Sequence, residues 1–433
     1  MVQKMRKMKD SGIEWIGEIP EGWEIVPVRS CFDEVRTKNT DGQEQNALQF
    51  KSGNIISKTN FNASMDDYVA DTITNYTVVL PDTVMINGLN LNYDFKSLRV
   101  ALVKEKGVIT SAYLAIFPDR KKIFPQYATY LFKGYETKMA FHNMGAGIRK
   151  TLGYKEFKNQ PLLLPSEKEQ NKISAYLDSK CSHIDIMLSK IRSSIEEYKK
   201  LKQTVITQAV TKGVRGEREM KDSGVKWIGE IPKEWVIQKI KSISSRINVG
   251  VVIRPSEYFD ENGTVPFLRG INVKEYLISS DNMVYINESS NHILSKSQVH
   301  TDDILIVRDG SIGTSCVVPA EFDGANVVSM VIATPSISCD SRFICYSLNS
   351  DVGKTQFTLT KIGSALTHTS VSAVSDIIVA VPSCAEQKEI ADYLDAKCAE
   401  IDGLIAKKEQ LVKELESYKK SLIYEVVTGK REV

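Results

Sequence analysis

Two segments of this chain occur twice, and the repetition limits the fold before any other property does. Residues 8–23 read MKDSGIEWIGEIPEGW and residues 220–235 read MKDSGVKWIGEIPKEW, an offset of 212 with twelve of sixteen positions identical. A second pair has an offset of 217. It reads PSEKEQNKISAYLDSKCSHID from Pro165 and PSCAEQKEIADYLDAKCAEID from Pro382, and the match runs without a gap to Val210-Thr211 and Val427-Thr428. Self-similarity at a fixed offset marks a duplicated structural unit. The 433 residues are therefore two halves, each an opening motif, a variable stretch of about 145–150 residues and a closing segment. The two variable stretches do not align with each other. Like ends around unlike middles describe a common frame that holds two different modules.

All four tryptophans (Trp15, Trp23, Trp227 and Trp235) lie in the opening motif. Its Ile19-Pro20 and Ile231-Pro232 steps hold the residue before proline extended, so the motif is a structured lead-in and not a helix interior. The closing segments are helical by pattern. A proline stands near each start, followed by Glu167 and Glu169 or Glu386 and Glu389, which suit the positive end of a helix. The series Ile184, Met187, Ile191, Ser194, Tyr198, Leu201, Val205 alternates steps of three and four. Its counterpart is Ile401, Leu404, Lys408, Leu411, Leu415, Tyr418, Leu422. A heptad pattern over about three repeats predicts a coiled coil. Each helix has about 45 residues, or roughly 65–70 Å. With polar faces over that length it needs a partner, and the other copy is the obvious one. VTGKREV at the end of the chain, joined back to Met1, would recreate a linker like the one after Val210-Thr211. This circular layout predicts neighbouring termini, a pseudo-twofold relation of the halves and antiparallel helices.

Composition narrows the class. With 42% hydrophobic and 25% charged residues, the chain can build two or three cored domains and is unlike a disordered one. No apolar run approaches the roughly 20 residues that cross a bilayer. The basic start (Lys4, Arg6, Lys7, Lys9) lacks the apolar stretch of a signal peptide. No membrane role and a cytoplasmic location are the resulting expectations. Seven scattered cysteines without a CxxC pair and five dispersed histidines give neither a disulfide framework nor a metal site. Cys181 and Cys398, at matched positions, read as helix packing. A net charge of +2 favours no partner by itself.

The repeated residues resemble a known family. Glu169-Gln170 and Glu386-Gln387 after a Pro step, then Tyr-Leu-Asp, Ile-Asp and finally Val427-Thr428-Gly429-Lys430, look like the long helices of specificity subunits of type I restriction–modification systems. SGxxWxGxIPxxW, at Ser11 to Trp23 and Ser223 to Trp235, is similar to the start of that family's target-recognition domains. The resemblance covers the whole chain, with all four blocks in order; the first copy has Val-Thr-Lys-Gly at 210–213 instead of Val-Thr-Gly-Lys. It implies a mixed α/β (α+β) fold with two target-recognition domains, each reading half of a bipartite double-stranded DNA site, and two long helices in an antiparallel coiled coil. The corresponding boundaries are 1–164, 165–213, 214–381 and 382–433. It further implies two methyltransferase subunits, docked on the helices, and separate restriction subunits. S-adenosylmethionine, ATP and magnesium would belong to those partners; this chain would hold no cofactor or metal and methylate nothing itself.

Motifs for chemistry are sparse. No Asn/Asp-Pro-Pro-aromatic tetrapeptide and no GxGxxG occur, and Gly353-Lys354-Thr355 lacks a leading glycine, since residue 348 is leucine. Pro81-Asp82 with Asp94-Phe95-Lys96 fits the spacing of a metal-dependent endonuclease, in which carboxylates hold the metal and lysine assists water. Asp82, Asp94 and Lys96 are thus the alternative reading, although Val78 to Asp82 also reads as a strand ending in a turn. Base edges are read by Arg, Lys, Asn and small hydroxyls, and phosphates by cations. On that ground the candidate DNA-contacting residues are Asn87, Asn90, Asn92, Lys96, Arg99, Arg149 and Lys150 in the first variable region. Arg269, Arg308, Lys361, Thr367 and His368 are their counterparts in the second.

Overall fold

The computed structural model describes residues 6–58, 73–148, 150–360 and 368–433. It divides into two compact units, residues 1–192 with 410–433, and Ser193–Glu409. Both are mixed α/β. Where the sequence marks the long helices as separate segments, each compact unit takes part of both helices.

In the first unit the opening motif is a hairpin, Met8–Asp10 against Glu18–Pro20, with Lys9 opposite Ile19. The next strand, Glu24–Pro27, pairs antiparallel with Pro161–Leu164, the strand that feeds the first long helix. Between them lies a four-stranded antiparallel sheet ordered Phe32–Glu34, Leu114–Pro118, Val84–Ile86, Val100–Leu102. Helix Pro125–Thr137 buries Tyr127, Leu131 and Tyr135 in the same core as Val84, Ile86 and Val100.

The second unit repeats this order. Met220–Asp222 pairs with Glu230–Pro232, and Val236–Lys239 with Ile378–Val381. Its four-stranded sheet runs Ser244–Val249, Met330–Pro335, Ile304–Val307, Ser315–Val317, and helix Ser341–Asn349 takes the place of Pro125–Thr137. Variable stretches that share no alignable sequence therefore share the strand order of this sheet, while their remaining strands pair differently.

The repeated residues hold each frame together. Trp23 is buried and its indole N–H donates to Glu169 at 3.3 Å, while Arg6 pairs with the same carboxylate and lies 5.4 Å over the indole ring. The second unit has Trp235 donating to Glu386 at 3.2 Å, with Arg218 bonded to Glu386 at 2.6 Å and 5.2 Å over the ring. Burial would raise the Glu169 carboxyl, but the bonds from Trp23, Ser166 and Arg6 outweigh it and hold the group below its usual range. The neighbouring glutamines pin the turn before the sheet-packing helix. Gln170 accepts from Phe124 N–H and donates to Lys122 and Pro165 carbonyls; Gln387 accepts from Asp340 N–H and donates to Ser338 and Pro382 carbonyls. One helical turn or two later, Asp178 accepts from Tyr130 hydroxyl at 2.8 Å and Asp395 from Tyr346 hydroxyl at 2.7 Å.

The long helices are Glu167–Lys212 and Cys384–Val427, 46 and 44 residues. Both end at a left-handed glycine, Gly213 at φ +76 and Gly429 at φ +71. The shifted glycine of the first copy thus lets that helix run through Lys212 before the same kind of stop. At Gly429 a Cβ would lie 2.3 Å from Pro20, so only glycine lets the chain end seat on the opening hairpin. Arg6, Arg431 and Val433 line one pocket there, which brings the described ends of the chain together.

Within each unit the helices pack antiparallel. Lys419 bonds Asp185 at 2.6 Å and Arg192 pairs with Glu416 at 2.5 Å in the first unit. In the second, Lys202 bonds Asp402 at 2.6 Å and Lys408 lies 5.5 Å over the Tyr198 ring. Lys202–Asp402 and Lys419–Asp185 are the same contact at the 217-residue offset.

The inward seam differs from the predicted one at alternate positions. Ile184, Ile191, Tyr198 and Val205, and Ile401, Leu404, Leu415 and Leu422, are buried or half-buried as expected. Met187, Leu201, Leu411 and Tyr418 are exposed, and Leu188, Lys202, Val412 and Lys419 take their places. The physical reason is the phase set upstream by the buried Leu177 and Cys181, which leads by steps of three and four to 184, 188, 191, 195, 198 and 202. A search for apolar identity skips 202 and 419, where lysine stems lie along the seam and their ammonium groups reach aspartates.

The two copies of the clamp differ in burial, since the Glu386 side chain is 3% exposed and that of Glu169 31%. Glu386→Ala leaves the Trp235 indole N–H without its acceptor and the half-buried Arg218 with only the Lys212 carbonyl and Glu234, and should cost about 3 kcal/mol. Glu169→Ala should cost at most about 2 kcal/mol. Urea denaturation of the two variants side by side checks this; equal losses would show that burial does not set the worth of the clamp.

Candidate nucleic-acid interface

In the first unit, strands Val84–Ile86 and Val100–Leu102 are joined by a loop, residues 87–99, that carries most of the predicted candidates. It packs on the loop at 145–152, which carries the others. Leu91 N–H donates to the Lys150 carbonyl at 3.1 Å, Leu152 N–H to the Gly88 carbonyl at 2.9 Å, and the Asn92 side-chain amide to the Ile148 carbonyl at 3.1 Å. Two stretches separated by some fifty residues thus form one surface. Gly88 lies against Leu152, where a Cβ would come within 2.5 Å of the carbonyl oxygen, so the approach of the two loops needs glycine.

Arg99 corrects the reading of its residue type. It is 1% exposed, and its guanidinium donates to the carbonyls of Asn87 and Leu89 at 2.9 Å and to that of Asp94. Its backbone N–H bonds the Glu136 carboxylate of the sheet-packing helix. Arg99 therefore faces inward and shapes the loop instead of meeting DNA. The Asn87 side chain is also spent locally, accepting from Leu89 N–H at 3.2 Å. Asn90, Lys96 and Lys150 are exposed, with Asn90 at φ +52 and Lys150 at φ +34. Arg149 lies outside the described residues.

The second unit joins its corresponding strands, Ile304–Val307 and Ser315–Val317, through the shorter loop at 308–314. Here too the candidates converge. Thr369 N–H donates to the Arg308 carbonyl at 3.1 Å, the Arg308 side chain returns a bond to the Thr369 carbonyl at 2.9 Å, and Asp309 bridges to His368. Arg308 is half-buried and His368 exposed. Arg269 follows strand Val265–Leu268 and spends one guanidinium nitrogen on the Asn282 carbonyl; a Cβ at Gly270 beside it would lie 3.5 Å from the Val307 side chain. Lys361 and Thr367 lie outside the described residues.

The nuclease alternative finds its residues engaged elsewhere. Asp82 bonds Arg120 at 2.6 Å. Asp94 caps the turn at Lys96 and Ser97, accepting from both N–H groups, and the Ser97 bonds chiefly pull its carboxyl down to about 2. Lys96 is exposed, and among the described residues no group of three or more His, Cys, Asp or Glu could hold a metal. Gly353-Lys354-Thr355 lies inside helix Asp351–Thr360, not in a phosphate-cradling loop. Among the described residues no helix is long and apolar enough to cross a membrane.

The same loops also expose apolar side chains that residue type alone does not mark as DNA contacts. Tyr93, Phe95 and Ile148 are exposed at the tips. The signal was present, as two aromatics flank Asp94 in an otherwise polar run, but a search for hydrogen-bonding side chains does not score it.

Residues 232–414 match the family described as the type I restriction modification DNA specificity domain. The chain is 25% identical over 427 residues to the putative type I restriction enzyme MjaX specificity subunit of Methanocaldococcus jannaschii, covering 96% of this chain and 95% of that protein. The MjaVIII specificity subunit of the same organism is 24% identical, covering 95% and 93%. Among solved structures, a chain from a study of complex assembly and conformational transition of the type I R-M system matches with a TM-score of 0.71. It is 14% identical, over 95% of this chain and 99% of its own. The HsdS subunit of Thermoanaerobacter tengcongensis matches with a TM-score of 0.50 and 15% identity, over 95% and 98%. These two structural likenesses speak to the fold.

The geometry separates Arg99 from its exposed neighbour. Arg99→Ala leaves the Asn87 and Leu89 carbonyls without their donor and the Asp94 carbonyl with His142 alone, and should lower stability by about 3 kcal/mol. Lys96→Ala should change stability by less than about 0.5 kcal/mol. Thermal melts of both variants check the assignment. Glu136 supplies a pH signature of the same network. Burial pushes its carboxyl up to about 7, against the opposing pull of the Arg99 N–H and of the Lys133, Arg99 and Lys420 charges. In the unfolded chain it ionises near 4.3. The folded state therefore holds the extra proton between these values, and this group's contribution to stability falls as pH rises from about 4.3 to 7. Glu136→Gln keeps the acceptor and should flatten the decline of melting temperature between pH 5 and 8; an unchanged slope would exclude Glu136 as its source.

Proposed function

The chain belongs to the type I restriction–modification specificity subunits, and on that footing we propose that it recognises a bipartite DNA site, one half per unit, and performs no catalysis. Adenine methylation and restriction are then the work of partners. Two methyltransferase subunits bring S-adenosylmethionine, and restriction subunits bring ATP and magnesium.

The observation that carries this reading is the contrast between frame and loops. Both units have the same strand order and the same Trp–Glu–Arg clamp. At the corresponding strand junction they present loops of different length and sequence, 87–99 and 308–314. Each loop is bonded to a second stretch some fifty to sixty residues away in the chain, and the outward side chains include amides, cations and an imidazole. Phosphate contacts position such a surface and base-edge contacts specify the sequence. A common frame with exchangeable loops supplies two different specificities from one fold. The engaged state of Asp82 and Asp94 supports division of labour over cleavage by this chain alone.

Exchanging residues 24–160 for the corresponding stretch of an unrelated family member should change one half of the methylated motif and leave the other intact. Methylation mapping in cells carrying the exchanged chain with its partners reads this directly; changes in both halves would exclude one unit per half-site.

A further inference from the structure

A loop tip that meets only water is ordinarily polar, and the first unit departs from this at a place that is unusually well held. Ile148 is 94% exposed, Tyr93 72% and Phe95 57%. They are neighbours, since Asn92, next to Tyr93 in the chain, donates to the Ile148 carbonyl. The loop presenting them is rigid by construction. The buried Arg99 grips three of its carbonyls, Asp94 caps the turn after Phe95, and Tyr93 and Asp94 N–H groups both return to the Asn90 carbonyl. Phe95 is backed by His142, stacked at 5.1 Å and 11°, and His142 Nε2 bonds the Asp94 carbonyl at 3.1 Å.

A buried guanidinium is thus spent on holding flat apolar rings out of the core and in solvent. The exposed cations beside them, Lys96 and Lys150, say what covers those rings. A protein surface large enough to cover three apolar side chains has no need of flanking lysines. Duplex DNA offers both chemistries at once, phosphates for the cations and stacked base faces for the rings.

Resting on the DNA-reading function proposed above, we infer that the first unit reads its half-site partly by deformation, inserting Tyr93 as a wedge at one base step. Phe95 and Ile148 cover the opened edge. Unstacking is easiest at pyrimidine–purine steps, so the wedge adds a preference at a position that makes no hydrogen-bonded base contact. Arg99 and Glu136 act as positioning residues for the wedge.

The test uses the full chain and duplexes carrying the site that methylation mapping identifies. 2-Aminopurine or pyrrolo-cytosine is placed in turn at each position of the first half-site other than the methylated adenine. Binding should raise the fluorescence at one step only. Tyr93→Ala should abolish that rise and weaken specific binding by about tenfold or more, leaving the salt dependence unchanged, whereas Lys96→Ala should reduce the salt slope and keep the rise. Tyr93→Phe should keep both rise and affinity. Specific binding with no rise at any position overturns the wedge while leaving DNA reading intact. So does a loss of affinity on replacing a thymine by uracil equal to that of Tyr93→Ala, which would assign the tyrosine to a thymine methyl. Failure to bind the mapped site in any duplex overturns the function itself.

Discussion

Everything in this protein depends on one constraint: neither long helix can bury its seam alone. A helix of 46 residues with a narrow apolar stripe and charged flanks gains little from its own hydrogen bonds. It becomes stable by packing against the other copy. In each unit that packing is antiparallel, fixed by a lysine stem on the seam reaching an aspartate, Lys419 to Asp185 and Lys202 to Asp402. Surface pairs of this kind contribute little energy singly. Their use is in direction and register, because a slipped pairing would bring each lysine off its aspartate. The apolar contacts around them supply the stabilisation, and they require the chain's last residues to return to the unit that holds its first.

The clamp carries that constraint into the domains. Glu169 and Glu386 stand in the first turn of each long helix, where negative charge is favoured, and each receives an indole N–H from the opening motif and a guanidinium, Arg6 or Arg218, from two residues before it. Gln170 and Gln387, one residue on, fix the turn that launches the sheet-packing helix. Two residue types in one helical turn, Glu and Gln, thus orient the hairpin, the helix and the strand between them. That accounts for their appearance in both halves: they build the frame.

The loops at 87–99 and 308–314 obey the opposite rule. Their strand junctions are fixed by the frame, but length and content differ between the units, and the second unit manages with a loop about half as long as the first. The longer loop needs an internal support, and Arg99 supplies it. A cation placed beside asparagines in sequence looks like a phosphate or base contact. In the fold it is the one group able to satisfy several carbonyls of a loop that has no strand partner. Burial, and not residue type, decides between the two roles.

The sequence by itself determined the duplicated architecture, the helical nature of the closing segments, their antiparallel pairing and the meeting of the chain ends. Each follows from period, spacing or circular order, which are properties of the chain as written. The stretches at 87–99 and 145–150, and those at 308 and 368, stand apart in the sequence as separate polar runs and meet in the fold. Tertiary structure alone decided the phase of the seam at 188, 202, 412 and 419, since two of those seats hold lysine and only a packed partner shows which side of a helix faces inward. It alone revealed that the two variable regions share a strand order, because backbone pairing persists while the side chains that would reveal it diverge. And it alone turned Arg99 inward and Tyr93 outward, because a side chain's direction is set by contacts between residues far apart in the chain, which no local pattern encodes.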